Sequence, residues 1–269
     1  MVLNGPGAPI VSSLDNTVTV TGGMTFLLVV AGIGAGLAGS VAGLASVVSY
    51  PALLATGLGP LAANVTNTVA LTLSATGSVL GSRPELVGQG PRVRRLTAAA
   101  IAGGATGAAI LLVTPAGDFE KVVPCLIGIA SISTLIQPQR QVLAEVGKHG
   151  DGRYLALSIF LVCIYGGYFG AGSGIVLLAL LIARTGESLA RSNAVKNVLA
   201  GMANTTAALG FMLFGPVHWL VLLPLAGGFL LGARVGPIVV RHAPAGPLRV
   251  LIALGGIAFS IHLGLDTYH

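Results

Sequence analysis

Charge is what this chain has least of. From Asn16 to Ser82 there is no Asp, Glu, Lys or Arg. The same silence returns over Leu96–Gly117, Val122–Gln139, Tyr154–Ala183, Asn197–Ala233 and Val250–Leu265. Only 8% of the 269 residues are charged, against about a quarter in an ordinary globular chain. A soluble domain is therefore excluded, because a water-facing surface needs charge every few residues. Hydrocarbon is the solvent that fits, since each charge placed in it is costly. A transmembrane barrel is not expected, because its strands would alternate polar and apolar residues. Other absences narrow the chemistry. There is no H-E-x-x-H, no Cys/His cluster and no Walker loop, so neither a metal site nor an ATPase motor is encoded. Only two cysteines occur, Cys125 and Cys163, both in apolar runs, and no disulfide is expected between them. No Lys or Arg precedes the first apolar run, so a cleaved signal peptide is not expected.

What is present is glycine and apolar bulk. The chain holds 40 Gly and is 54% hydrophobic. A span needs about 20 apolar residues, and about eight candidates emerge, near 24–49, 61–81, 96–114, 119–136, 155–183, 192–214, 217–236 and 248–265. The expected fold is an all-α polytopic transmembrane bundle of two pseudo-symmetric repeats. Residues 1–20 form a polar leader, 21–136 the first helical repeat, 137–153 a basic cytoplasmic linker and 154–269 the second repeat. G-x-x-x-G pairs occur at Gly32/Gly36, Gly39/Gly43, Gly103/Gly107, Gly166/Gly170, Gly170/Gly174, Gly228/Gly232 and Gly232/Gly236. Small residues at this spacing let helix backbones approach closely in lipid. The net charge of +6 does not imply nucleic-acid binding, because the basic residues lie mainly in loops, where they set orientation. Simple alternation of eight spans nearly ties the basic residues between the two sides. Two explanations stay open: inverted repeats with a broken segment that changes the crossing count, or tolerance of basic residues on the outer face. The repeat is faint. Val65, Asn67 and Ala70 match Val195, Asn197 and Ala200 at a shift of 130. Each half also orders a Gly-rich break, an apolar run, a Thr-Gly turn (Thr56-Gly57, Thr185-Gly186) and an Asn-bearing helix.

Two polar stripes are candidates for a site. Asn64, Thr68, Thr72 and Thr76 are spaced by four, with Asn67, Ser74 and Ser78 nearby. Residues four apart share a helix face, and in lipid that face should point inward. For the hydroxyls the simpler reading is bonding to their own backbone. The second stripe is Asn193, Lys196, Asn197 and Asn204. Lys196 is the only clearly intramembrane charge. No carboxylate shares its run, and such a cation becomes favourable where an anion binds. The competing reading has Lys196 snorkelling to the interface. The runs Gly34-Ala-Gly36 and Gly170-Ala-Gly172-Ser173-Gly174 can break a helix and present N–H groups to an anion. Together these features point to an anion held between the two halves. The expected partners are a small anionic substrate and the lipid bilayer, with a homo-oligomer left open and no cofactor.

The chain resembles the sulfite exporter TauE/SafE family of bacterial membrane proteins over about residues 25–265. The marks in the first half are Gly43-Leu-Ala-Ser-Val-Val-Ser-Tyr-Pro51-Ala-Leu-Leu, Asn64-Val-Thr-Asn-Thr68 and Gly81-Ser-Arg-Pro-Glu-Leu86. In the second they are Tyr165-Gly-Gly-Tyr-Phe-Gly-Ala-Gly-Ser-Gly174 and Ser192-Asn-Ala-Val-Lys-Asn197. Ala45 and Ser46 stand where the family commonly has glycine. The resemblance implies a multi-pass permease of the plasma (inner) membrane, with a duplicated helical half, that moves sulfite, organosulfonates or related anions. Its motif positions fall on Pro51, Asn64, Thr66 and Asn67, and on Gly170, Gly172, Gly174, Asn193, Lys196 and Asn197. With Gly43, Ser173 and Asn204, these are the expected substrate and helix-break residues. Two rivals remain: a non-transporting membrane scaffold, and an intramembrane serine protease built on Ser173 and His262. No enzyme activity is expected.

Overall fold

The computed structural model describes residues 21–135, 152–242 and 246–268. The expected leader and most of the basic linker lie outside them. The described residues form helices throughout. They are α1 (Gly22–Ala42), α2 (Ala45–Leu54), α3 (Pro60–Gly81), the single turn α4 (Arg83–Leu86), α5 (Gly90–Val113), α6 (Ala116–Leu135), α7 (Gly152–Tyr168), α8 (Ser173–Thr185), α9 (Leu189–Phe214), α10 (Trp219–His242) and α11 (Gly246–Tyr268).

Local chemistry sets the ends. Thr21 caps α1, its hydroxyl accepting from the Met24 amide (3.4 Å), and Ser188 caps α9 in the same way from Arg191 (3.3 Å). Pro60 opens α3, where a missing N–H costs nothing. Two of the expected spans are not single helices. The segment 24–49 breaks at Gly43, and 155–183 breaks between Phe169 and Gly172. Gly43 and Gly172 have φ of 76° and 77°, a left-handed conformation that glycine adopts without a Cβ penalty. Gly34 and Gly36 do not break α1. Gly36 lies instead against Phe229 and Ala233 of α10.

The helices cross where glycines remove side chains. Gly32 meets Gly228, and Gly236 meets Ser40, in ascending order along both α1 and α10, so those helices run the same way. Gly77 and Gly81 climb α10 from Leu230 to Pro237, which gives α3 that direction too. Gly103 faces Phe160 and Cys163, and Gly107 faces Ile164 and Tyr168. Gly104 meets Ala203, while Gly210 meets Ala108 and Leu112. Helices α5, α7 and α9 therefore share one direction. It is opposite to that of α1, α3 and α10, because Ala75 meets Gly201 while Val65 meets Gly215. Beside these, α6 and α11 form an antiparallel pair, joined by the Ser260 hydroxyl donating to the Pro124 carbonyl (2.7 Å).

Packing partners correspond across the chain. Helix α1 lies on α10 as α7 lies on α5, and α3 lies on α10 as α9 lies on α5. Positions 129 apart play like parts. Gly43 and Gly172 both break a helix, and Gly57 and Gly186 both have positive φ. Gly59 and Ser188 are both N-caps. The shift of 130 read from the sequence is thus off by one, and Asn67 corresponds to Lys196.

The return legs α2 and α8 have 10 and 13 residues, about 15 and 20 Å. Neither helix alone spans the roughly 30 Å of hydrocarbon, yet each reverses the chain. Among the described residues that removes the near-tie in basic residues. Arg83, Arg92, Arg94, Arg95, Arg184, Arg191 and Arg234 lie toward one end of the bundle, as do the helix ends that carry Arg153, Arg241 and Arg249. Lys121 lies at the other end, in the first turns of α6 with Asp118 and Glu120. Helices α1, α5, α9 and α10 are long and apolar enough to cross a membrane by length and composition. Large apolar side chains such as Phe26, Val113, Leu213 and Leu223 cover the perimeter. The interior holds one large apolar core and a smaller one joining α5, α7, α8 and α9 around Ile159, Leu177 and Leu199.

Candidate functional site

The two breaks touch. A Cβ on Gly43 would fall 2.5 Å from the Cα of Gly174, so the backbones of both halves meet where their helices are interrupted. Beside that contact lies a small cavity of about 60 Å³, room for a few waters or one compact ion. Its walls come from the C-terminal end of α1 (Gly39, Gly43), the first turn of α2 (Ala45, Ser46) and the first turn of α8 (Ser173, Gly174). The rest comes from α3 (Leu71, Ser74, Ala75, Ser78) and α9 (Lys196, Asn197, Ala200, Gly201, Asn204), with Gly170 at the second break. First-turn N–H groups have no intrahelical partner and carry the positive end of the helix dipole. Two such ends and the Lys196 ammonium therefore lie at the cavity, together with the negative C-terminal end of α1.

Lys196 is 1% exposed, which overturns the snorkelling reading. Its ammonium donates to the carbonyls of Gly39 (3.0 Å) and Ser40 (3.3 Å), at the negative end of α1, where a cation is favoured. Asn193 does not line the cavity. Its amide donates to the Ser40 carbonyl (2.9 Å). Asn64 does the corresponding thing at the other break, donating to the Tyr168 carbonyl (2.9 Å). Each half therefore grips the broken helix of the other. Asn67 donates to the Ser46 hydroxyl (3.0 Å) and accepts from Ser49 (2.6 Å). Asn197 donates to Ser82 (3.4 Å). Thr66 accepts from the His218 amide (3.1 Å) and so ties α3 to the α9–α10 turn.

Of the expected residues, Gly43, Gly170, Ser173, Gly174, Lys196, Asn197 and Asn204 come together around the cavity. Asn64, Thr66, Asn67 and Asn193 are not in its lining; Asn67 bonds to Ser46 of the wall, and Asn64, Thr66 and Asn193 bond to Tyr168, His218 and Ser40. Gly172 packs against Ala130, and Pro51 sits inside α2, away from the lining. Thr72 and Thr76 both donate to their own helix backbone, as the simpler reading of these hydroxyls had it, and Thr76 is exposed instead of facing inward. The inward face of α3 is Leu71, Ser74 and Ser78. Those two serines and Ser46 line the cavity without having been expected as site residues; Ser74 and Ser78, seven and eleven residues beyond Asn67, share its buried side of α3. The proposed Ser–His dyad does not form. The Ser173 hydroxyl donates to the Gly170 carbonyl (2.8 Å), and exposed His262 pairs with Asp266 (2.9 Å).

A second polar cluster closes the basic end. Glu187, between α8 and α9, takes Arg92 (2.9 Å), Gln89 (3.2 Å) and Arg191 (3.3 Å). Hydrogen bonds from Arg92 and Gln89 hold its carboxyl below the usual glutamate range.

The transporter assignment comes from the family. The family model described as "Sulfite exporter TauE/SafE" matches residues 28–263. This chain belongs to that family. It is a multi-pass membrane transporter. Similar proteins include the "Probable membrane transporter protein ORF9" of Sinorhizobium sp, 27% identical over 91% of this chain and 94% of its own length. Another is the "Probable membrane transporter protein YfcA" of Escherichia coli K12, 26% identical over 87% of each chain. A third is a "Probable membrane transporter protein" of Haemophilus influenzae, 26% identical over 80% of this chain and 84% of its own. No solved structure matches the chain.

Proposed function

We propose that the protein is a secondary transporter of a small anion, sulfite or an organosulfonate, across the plasma (inner) membrane. The observation that carries this reading is Lys196, a buried ammonium on a cavity faced by the first turns of two half-helices. Lys196 would neutralise the anion, while Ser46, Ser74, Ser78, Asn197 and Asn204 would hydrogen-bond its oxygens. The 129-residue correspondence supports residues 21–136 and 154–269 as a duplicated pair in inverted orientation, and transport would proceed by rocking one half against the other. The concentration of arginines at one end supports placing that end in the cytoplasm.

Thermal stability of the purified protein tests the substrate. The panel is sulfite, sulfate, thiosulfate, taurine, sulfoacetate, acetate and chloride, on wild type and Lys196→Ala. One anion is expected to raise the melting temperature of the wild type only, as a ligand that prefers the native state must. No response to any anion, or equal responses from both proteins, would remove the anion site at Lys196.

A further inference from the structure

We propose a monovalent-cation site of sodium type at Asn64 and the C-terminal end of α7. The comparison that leads to it is between the two broken helices. Asn193 holds the end of α1 and Asn64 holds the end of α7, each through its amide nitrogen at 2.9 Å. Both asparagines are almost fully buried, at 2% and 1% exposure, and in both the side-chain oxygen has no hydrogen-bond partner. The two ends differ in charge. At α1 the protein supplies its own cation, the Lys196 ammonium on Gly39 and Ser40. At α7 the corresponding residue is Asn67, which is neutral and turned toward Ser46 and Ser49 of α2.

A helix C-terminus carries roughly half a negative charge. The Asn64 oxygen belongs to the same amide that touches the Tyr168 carbonyl, so a buried acceptor lies beside that negative end. Amide and carbonyl oxygens at a helix break are the donors that hold Na⁺ in repeat transporters. The described residues group no three His, Cys, Asp or Glu for a metal, and neutral oxygen donors suit a singly charged ion better than a divalent one. The end of α7 leads directly into Gly170 and Ser173 on the cavity wall. An ion there would stiffen that wall and add a second positive charge near the anion. This role rests on the anion-transport reading; the binding does not.

The test is the melting temperature of purified protein in sodium, potassium or choline gluconate at constant ionic strength, with no candidate anion added. Wild type is expected to show a saturable rise with sodium and none with choline. Asn64→Ala should lose the rise. Asn64→Asp, which keeps the oxygen and adds charge, should reach half-saturation at least tenfold lower. Equal responses to the three cations, or an unchanged sodium curve in Asn64→Asp, would overturn the site even if the alanine variant fails to fold. A failed sodium response with anion stabilisation intact sinks this site alone. The reverse result sinks the anion reading alone.

Discussion

Lys196 lines the cavity, and it and the two gripping asparagines do structural work. Removing the amide of Asn193 takes away one of the two donors to the buried Ser40 carbonyl and leaves it only the longer bond from Lys196, a loss of about 0.5–1.5 kcal/mol. Asn193→Ala is therefore expected to lower the melting temperature in detergent, while Thr76→Ala, at an exposed hydroxyl bonded to its own helix, should leave it nearly unchanged. Equal effects would deny the grip. Lys196 stood out in the sequence because a charge in an uncharged run is conspicuous. Ser74 and Ser78 were visible beside the first polar stripe but not decisive, because a hydroxyl in lipid is satisfied by its own backbone as readily as by a ligand. Only the facing helix decides which serine meets a cavity.

The element that defines the protein is the broken helix. Gly43 combines a positive φ with backbone contact to Gly174, whereas Gly57 has a positive φ and open space. Both alanine variants incur strain of about 1–2 kcal/mol, and Gly43→Ala adds overpacking of about 1–3 kcal/mol. Gly43→Ala is thus expected to be clearly the less stable of the two by thermal melt, and equal losses would refute the contact. The connection at the basic end makes a separate prediction. Because Glu187 is held below its ordinary value, its ion cluster stabilises fully above the unfolded glutamate value and fades as pH falls through the lowered one. The pairs are partly exposed, so the effect is about 1 kcal/mol or less. Wild type should exceed Glu187→Gln in melting temperature at neutral pH, and the gap should close in acid. Glycine runs announced that breaks exist, but Gly34 and Gly36 look the same in sequence as a break. Gly36 forms a crossing instead because α10 packs against it, and Gly34 faces Val48 of α2.

At the scale of the whole molecule the prediction concerns orientation. An alkaline phosphatase fused after Tyr268 should be active, since that end lies opposite the arginines, and one fused after Gly88 should be inactive. The opposite result would invert the placement in the membrane. By itself the sequence determined the solvent, the all-helical class and the family, because these follow from how much charge a chain carries and where its short motifs stand. The tertiary structure decided the rest: the direction of each helix, the 129-residue correspondence, the gathering of the described arginines at one end, and which polar groups share a cavity. The physical reason is that these are relations between segments more than a hundred residues apart. They are set by which glycine face finds which partner, and a one-residue error in register exchanges Asn197 for Lys196.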